Sequence, residues 1–228
     1  MTTPKLTKRL RAAGDLVRQG SFVADVGTDH AYLPIALVKE GRIRGGVVSD
    51  INKGPILRAT EHIRAYGLED RLTPLLCDGL SELSPYAPED ILILGMGGEL
   101  IARILAEAPW VKKEGIRLIL QPMTHPERLR SYLAAEGFEI LEEVLVREEK
   151  IYQILLSEYT GQTRTYRDTE LLFGPINLSR GDALTKEMLD HWERVLRERI
   201  RGKAAAGADT REEEKFLEEM EALRHEDP

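Results

Sequence analysis

From Ser21 onward, short apolar runs alternate with segments whose apolar residues recur every three or four positions. Phe22–Val26 reads as a buried strand. Ala31–Glu40 reads as a helix with Leu33, Ala36 and Leu37 on its inner face, stopped at Gly41. Gly46–Asp50 is a second strand, and the helix after it, Pro55–Tyr66, closes at Gly67. Leu72–Asp78 is a third strand. Asp90–Gly95, nearly all apolar, is a fourth, with the composition of a central strand covered on both faces. A helix over Leu100–Glu107, a fifth strand over Arg117–Gln121 and a helix from Pro126 to Gly137 follow. Phe138–Arg147 and Lys150–Glu158, joined by Glu148-Glu149, read as a hairpin. Repeated βα units ending in a hairpin predict an α/β fold: a mostly parallel, Rossmann-like sheet with an antiparallel edge. Ahead of the sheet, Leu6, Leu10, Ala13 and Val17 give Leu6–Arg18 a helical spacing.

Gly161–Gly181 breaks this pattern with polar residues, Gly174-Pro175 and few periodic apolar positions. Beyond it, Leu184, Met188, Trp192, Val195, Leu196 and Ile200 fall on one helical stripe. A glycine- and alanine-rich joint, Gly202–Gly207, separates that stripe from a second one, Phe216, Met220 and Leu223. Thr210 with Glu213 makes a capping-box pattern for the second helix. Two antiparallel helices joined by a short loop, a coiled-coil-like hairpin, are the simplest arrangement. The chain is therefore divided into residues 1–160, the α/β domain, and residues 161–228, a helical appendage. The appendage is too small to be an enzyme alone; its work is to bind or to position.

With 228 residues and 42% apolar composition, the chain has enough material for a conventional core. The single Cys77 excludes an intramolecular disulfide and suits a reducing compartment. No apolar run reaches membrane-spanning length, and Met1-Thr2-Thr3-Pro4-Lys5 leads into no signal-peptide core. A cytoplasmic protein without a membrane partner is expected, with no obligate protein partner evident and no metal site. The net charge of −7 argues against a polyanionic partner, but its distribution softens that. Lys5, Lys8, Arg9, Arg11 and Arg18 stand against the single Asp15 near the start. Lys186, Arg194, Arg197, Arg199, Arg201 and Lys203 stand among four acids in the first appendage helix, while the acids concentrate from Glu212 to Asp227. Screening confines each patch to about 10 Å, so a local basic face can hold phosphates on an acidic molecule.

In an open parallel sheet, ligands sit beyond the carboxyl ends of the strands. The residues expected there are Asp25, Gly27, Thr28, Asp29 and His30 after the first strand and Asp50 and Ile51 after the second. Asp78 and Gly79 follow the third, Gly95, Met96 and Gly97 the fourth, and Gln121 to His125 the fifth. A carboxylate at Asp50 is placed to accept from both hydroxyls of a ribose. A dinucleotide would need glycine at 27, 29 and 32; the chain has Gly27, Asp29 and Tyr32, and Asp29 would face a pyrophosphate with like charge. S-adenosylmethionine has no phosphate and carries an ammonium, a carboxylate and a sulfonium. Acids near the first turn suit the ammonium, backbone N–H groups at the helix start suit the carboxylate, and Asp78 suits the adenine amino group.

Ala24–Pro34 (Ala-Asp-Val-Gly-Thr-Asp-His-Ala-Tyr-Leu-Pro), Ser49–Asn52, Leu94–Ile101 (Leu-Gly-Met-Gly-Gly-Glu-Leu-Ile) and Gln121–His125 together resemble the TrmK family of bacterial tRNA (adenine(22)-N(1))-methyltransferases. The resemblance runs along the whole chain, including Leu6-Thr7-Lys8-Arg9-Leu10. It implies a class I methyltransferase core with a C-terminal coiled-coil domain, S-adenosyl-L-methionine as donor and tRNA as acceptor. The donor would then be held by Asp25, Gly27, Thr28, Asp29, His30, Asp50, Ile51, Asp78, Gly79 and Gly95.

The loop after the fourth strand adds a chemical check. Enzymes that methylate an exocyclic amine commonly carry an acid or amide followed by prolines there, and Gly95-Met96-Gly97-Gly98 has neither. Ring N1 of adenine presents a lone pair and needs alignment and charge stabilisation rather than proton removal. Loop carbonyls at Gly95, Met96 and Gly97, with Tyr32 as a stacking surface and His125 beyond the fifth strand, are the acceptor-side candidates. His62, His191 and His225 read as surface residues. Two other classes stay open on the residues alone: a methyltransferase acting on a small molecule or protein, and a non-catalytic module that binds RNA or nucleoside.

Overall fold

The apolar runs become β1 (Phe22–Val26), β2 (Gly45–Asp50), β3 (Leu72–Leu76), β4 (Asp90–Met96), β5 (Arg117–Pro122), β6 (Phe138–Arg147) and β7 (Ile151–Tyr159). A computed structural model describing residues 3–225 sets them in one sheet ordered β3-β2-β1-β4-β5-β7-β6. Met1 and Thr2, residues 226–228 of the acidic tail, and the side chains of Arg224 and His225 lie outside the described residues. The first five strands are parallel. The hairpin joins the sheet second strand first: β7 runs antiparallel to β5, and β6 lies outermost.

β4 shows why this sheet is covered on both faces. Ile91 and Ile93 point into a core with Ile101 and Leu105 of α4 (Gly98–Ala106) and Leu129 and Leu133 of α5 (Pro126–Ala135). Leu92, between them, points into a second core. That core is built with Ala13 of α1 (Lys8–Asp15), Ile35 of α2 (Tyr32–Lys39) and Ile63 of α3 (Lys53–Ala65). The chain leaves β1 toward β2 and returns to β4 on β1's other side, so a crevice opens between the carboxyl ends of β1 and β4.

The stretch 161–181, read as a patternless break, contains two short helices, α6 (Asp168–Phe173) and α7 (Pro175–Arg180). A buried ion pair holds them on the sheet. Arg130 Nε donates to Glu143 Oε1 at 2.7 Å, and its Nη2 donates to Gln153 Oε1 at 2.6 Å. Its Nη1 reaches the Leu171 carbonyl at the end of α6 at 2.8 Å. Glu143 Oε2 accepts the Ile176 and Asn177 amides at the start of α7, at 2.9 and 3.2 Å. Between the two helices Gly174 adopts φ +94°, and a Cβ there would fall 2.3 Å from the Glu143 carboxylate. Only glycine passes.

α8 (Ala183–Ala205) and α9 (Arg211–His225) form the expected helical hairpin. Asp182 caps α8 by accepting the Thr185 amide at 2.9 Å. Leu145 of β6, Phe173 of α6, Met188, Leu189 and Leu196 of α8 and Met220 of α9 share a third apolar cluster, which binds the hairpin to the sheet margin. α8 runs through Gly202, so the joint is shorter than expected. The capping-box pattern does not close: the Thr210 hydroxyl bonds Glu214 at 2.8 Å, and Glu213 pairs with Lys203 at 2.5 Å.

Candidate functional site

The first turn of the crevice closes around Asp25. Thr28 donates its hydroxyl to the Asp25 carboxylate and accepts the Ala31 amide at 3.1 Å. Asp25 is only 7% exposed and has no cationic partner among the described residues, so burial pushes its carboxyl up to about 6. Gly27 adopts φ +78°, and a Cβ on it would meet the Met96 methyl at 2.1 Å; glycine lets the β4 loop lie against the β1 turn. The amides of Gly27 and Thr28 both donate to the Ser49 carbonyl, at 2.8 and 3.0 Å. These two amides are therefore already engaged, and an anion at this turn depends on those further along.

Asp29 stands on the exposed rim. Arg58 of α3 pairs with its carboxylate, and His30 Nε2 lies 3.1 Å from it; the hydrogen bond from Arg58 is the larger cause that holds the carboxyl below its usual range. His30, Tyr32 and His62 form an aromatic stack: His30 to Tyr32 and Tyr32 to His62 each have centroids 5.0 Å apart. His62 Nδ1 also lies 3.0 Å from the His30 carbonyl. His62 is thus a half-buried brace of the turn rather than a surface residue, a role its place on α3 gave no local reason to expect. His191, in contrast, is exposed.

At the tip of β2, Asp50 Oδ1 accepts the Asn52 amide at 2.7 Å, leaving Oδ2 without a protein donor among the hydrogen bonds described. Ile51 beside it is 60% exposed, an apolar face at the mouth of the crevice. Past β3, Asp78 is exposed and Gly79 turns at φ +53° against Ile104. Carboxylates thus stand at three successive strand ends.

The other wall is the tip of β4. Its register with β5 shifts between Leu94 and Met96, and Gly95 forms the bulge at φ +80°. The Gly95 amide donates to Gln121 Oε1 at 3.1 Å. The Met96 carbonyl accepts the Met123 amide at 2.7 Å and the Gly97 carbonyl accepts the Ile101 amide at 3.0 Å, so two of the three loop carbonyls expected to face the acceptor are already bonded. A Cβ at Gly98 would fall 2.1 Å from the His125 carbonyl, which explains a second glycine here. His125 itself is exposed, left-handed at φ +52°, with Nδ1 3.0 Å from Glu127.

His125 opens into a groove of about 950 Å³ between the β5–α5 turn, the β6–β7 turn and α8. Lys150, Tyr152, Trp192, Arg194 and Arg199 contribute to its lining. Of the basic face expected near the amino terminus, Lys5 and Lys8 are exposed, while the three arginines are engaged by partners. Arg11 pairs with Glu40 at 2.7 Å, Arg18 with the buried Asp90 at 2.6 Å, and Arg9 reaches Gln121. On α8, Arg197 bridges Glu193 and Glu221, at 3.0 and 2.7 Å. Sequence reasoning did not place Arg9 at the site, because its partner lies 112 residues away.

Residues 6–155 match a methyltransferase-domain family. Over 228 aligned residues the chain is 33% identical to the tRNA (adenine(22)-N(1))-methyltransferase of Bacillus subtilis, covering 96% of this chain and 94% of that protein. The crystal structure of the B. subtilis M1A22 tRNA methyltransferase TrmK matches with a TM-score of 0.82 at 31% identity, over 97% of this chain and 98% of that one. Sp1610 of Streptococcus pneumoniae, crystallised in complex with S-adenosyl-L-methionine, matches with a TM-score of 0.85 at 30% identity, over 96% of this chain and 99% of that one. With 33% identity to a family member over 96% of its length and the same fold over 97% of it, the chain belongs to the TrmK family of tRNA (adenine(22)-N(1))-methyltransferases.

Proposed function

We propose that this protein transfers a methyl group from S-adenosylmethionine to ring nitrogen N1 of adenine 22 in tRNA. The observation that carries the reading is the pairing of a three-carboxylate wall at β1–β3 with a β4 tip that holds a glycine bulge and neither acid nor proline. The carboxylates fit the donor: Asp50 has an oxygen left for ribose hydroxyls, and Ile51 offers an apolar face for adenine. Asp25 supplies buried negative charge toward an ammonium or sulfonium, and Asp78 an acceptor for the adenine amine. When bound, S-adenosylmethionine supplies an electrophilic methyl group on sulfur. Gly27, Thr28, Asp29, His30, Gly79 and Gly95 shape the crevice around it.

The protein's own part is alignment. Met96 packs on Gly27 and sets the distance between the two walls. Tyr32, 38% exposed and in ring contact with both His30 and His62, presents an aromatic face on the rim. N1 brings its own lone pair, so no residue need remove a proton before attack; orientation supplies the acceleration. The groove beside His125, with Lys150, Arg194 and Arg199, is the path for the RNA backbone. Residues 1–160 serve as the methyl-transferring domain and 161–228 as the part that holds tRNA. No helix of the described residues is long and apolar enough to cross a membrane. Cys77 is unpaired, and we place the enzyme in the cytoplasm.

The test uses labelled S-adenosylmethionine and two unmodified tRNA transcripts, one with adenine 22 and one with guanine there. Label is expected only in the first, as 1-methyladenosine after nucleoside digestion. Equal label in both, or label on the exocyclic nitrogen, overturns the assignment.

A further inference from the structure

We infer that Arg9 is a positioning residue for methyl transfer: from α1 its guanidinium locks the Gln121 amide that holds the glycine bulge of β4. The inference rests on reading that bulge as the acceptor wall. Gln121 is fully buried, and both ends of its amide are bonded. Oε1 accepts from Arg9 Nη1 at 2.5 Å and from the Gly95 amide at 3.1 Å, while Nε2 donates to the Pro122 carbonyl at 2.8 Å. A flipped amide would set Nε2 against the guanidinium and the Gly95 N–H, three donors with no acceptor among them. The cation therefore selects one amide orientation, and that orientation fixes Gly95 where the β4–β5 ladder shifts register.

Arg9 is itself held from several sides. Its Nη1 lies 3.1 Å from Met123 Sδ, its guanidinium sits 4.9 Å from the Tyr152 ring centroid, and its backbone amide donates to Glu148 Oε1 at 2.9 Å. A Cβ added to Gly95 would lie 3.8 Å from Nη1, so the guanidinium is a direct neighbour of the bulge. Lys150 flanks the same place, donating to the Met123 carbonyl at 3.0 Å. The amino-terminal helix thus supports the acceptor wall from behind, through one buried amide.

Arg9→Met keeps the approximate length and removes the cation, including its contact with the Tyr152 ring. Single-turnover methyl transfer at saturating tRNA and S-adenosylmethionine should fall about tenfold to a hundredfold, with both Kd values within about twofold of wild type. In the ligand-free protein the Gly95 amide should exchange faster with deuterium by NMR while Gly98 is unchanged, and Arg9→Lys should recover part of both effects. Glu40→Gln, which breaks the Arg11–Glu40 ion pair of the same helix, should change neither. Unaltered Gly95 exchange in Arg9→Met overturns the inference. So does a rate loss shared by Glu40→Gln, which would mean helix anchoring alone, or a loss confined to tRNA Kd, which would mean a phosphate contact. Amide exchange does not depend on the methylated substrate: a wild-type protein inactive on tRNA would refute the functional reading, while the exchange result would still decide whether Arg9 fixes Gly95 through Gln121.

Discussion

The two walls of the crevice are built from opposite chemistry. At β1–β3, Asp25, Asp50 and Asp78 stand at successive strand ends, the first two braced by neighbours a few residues away: Thr28 for Asp25, the Asn52 amide for Asp50. At β4–β5 the strand ends bring glycines and an amide, and the cations arrive from remote segments, Arg9 on α1 and Lys150 on the hairpin. An acidic wall suits a cationic, phosphate-free donor, and a wall with imported cations suits a polyanionic acceptor. Burial divides them further. Asp25 lies buried without a counter-charge among the described residues, whereas Arg130 and Glu143, which hold α6 and α7 on the sheet, are buried as a bonded pair.

The largest effect should come from breaking that pair. Glu143→Gln leaves the Arg130 guanidinium buried without its counter-ion, a loss of roughly 3–5 kcal/mol. The melting temperature should drop, and below the melt α6 and α7 should loosen from the sheet, taking one wall of the groove with them. Affinity for tRNA should fall while donor affinity, measured by calorimetry, holds. Parallel loss of both affinities would show that the walls are not independent.

Asp25 sharpens the comparison from the donor side. Its carboxyl is raised from 3.8 to about 6, so in the fold it stays protonated where the unfolded chain has already ionised. Stability therefore falls as pH rises from about 4 to about 6, by about 3 kcal/mol in all, and the penalty stays constant above that. Asp25→Asn should gain stability at pH 7.5, gain little at pH 4, and flatten the dependence between. Donor binding runs the other way, because a cationic ligand favours the ionised carboxylate: wild-type affinity should rise with pH up to about 6 and level off. A pH-independent donor Kd in this range would remove Asp25 from the site. Asp50→Ala should be smaller, about 1.5–3 kcal/mol of donor binding for the loss of a charged acceptor, with tRNA affinity unchanged.

The acidic wall at β1–β3 was legible because its signals are local. Strand periodicity and the closing glycines located β1 to β5 within two residues or so, and the acids follow directly. α6 and α7, at six residues each, are too short to display a helical stripe, and what fixes them is contact with Arg130 and Glu143 from elsewhere in the chain. Charge counts near the amino terminus could not say which way its side chains turn; Arg11 of α1 and Arg18 beyond it find partners 29 and 72 residues away. Gly97-Gly98 was readable as small residues, but the reason for Gly98, the backbone of Thr124 and His125 pressing on it, belongs to the packed loop.

α8 allows the finest cut between bound and available charge. Arg194 and Arg199 line the groove, Arg199 with its guanidinium 5.8 Å from the Trp192 ring centroid, whereas Arg197 is shared between Glu193 and Glu221 across the helical hairpin. Arg194→Gln with Arg199→Gln should weaken tRNA binding about tenfold and reduce the slope of log affinity against log salt by about 1.5, as expected for two lost phosphate contacts. Arg197→Gln should move that slope much less, since its charge already has partners, and should instead lower the melting temperature slightly by loosening α9 from α8. If Arg197→Gln flattened the slope as much as the double variant, the RNA would run along the outer face of the hairpin, and the groove beside His125 would not be its path.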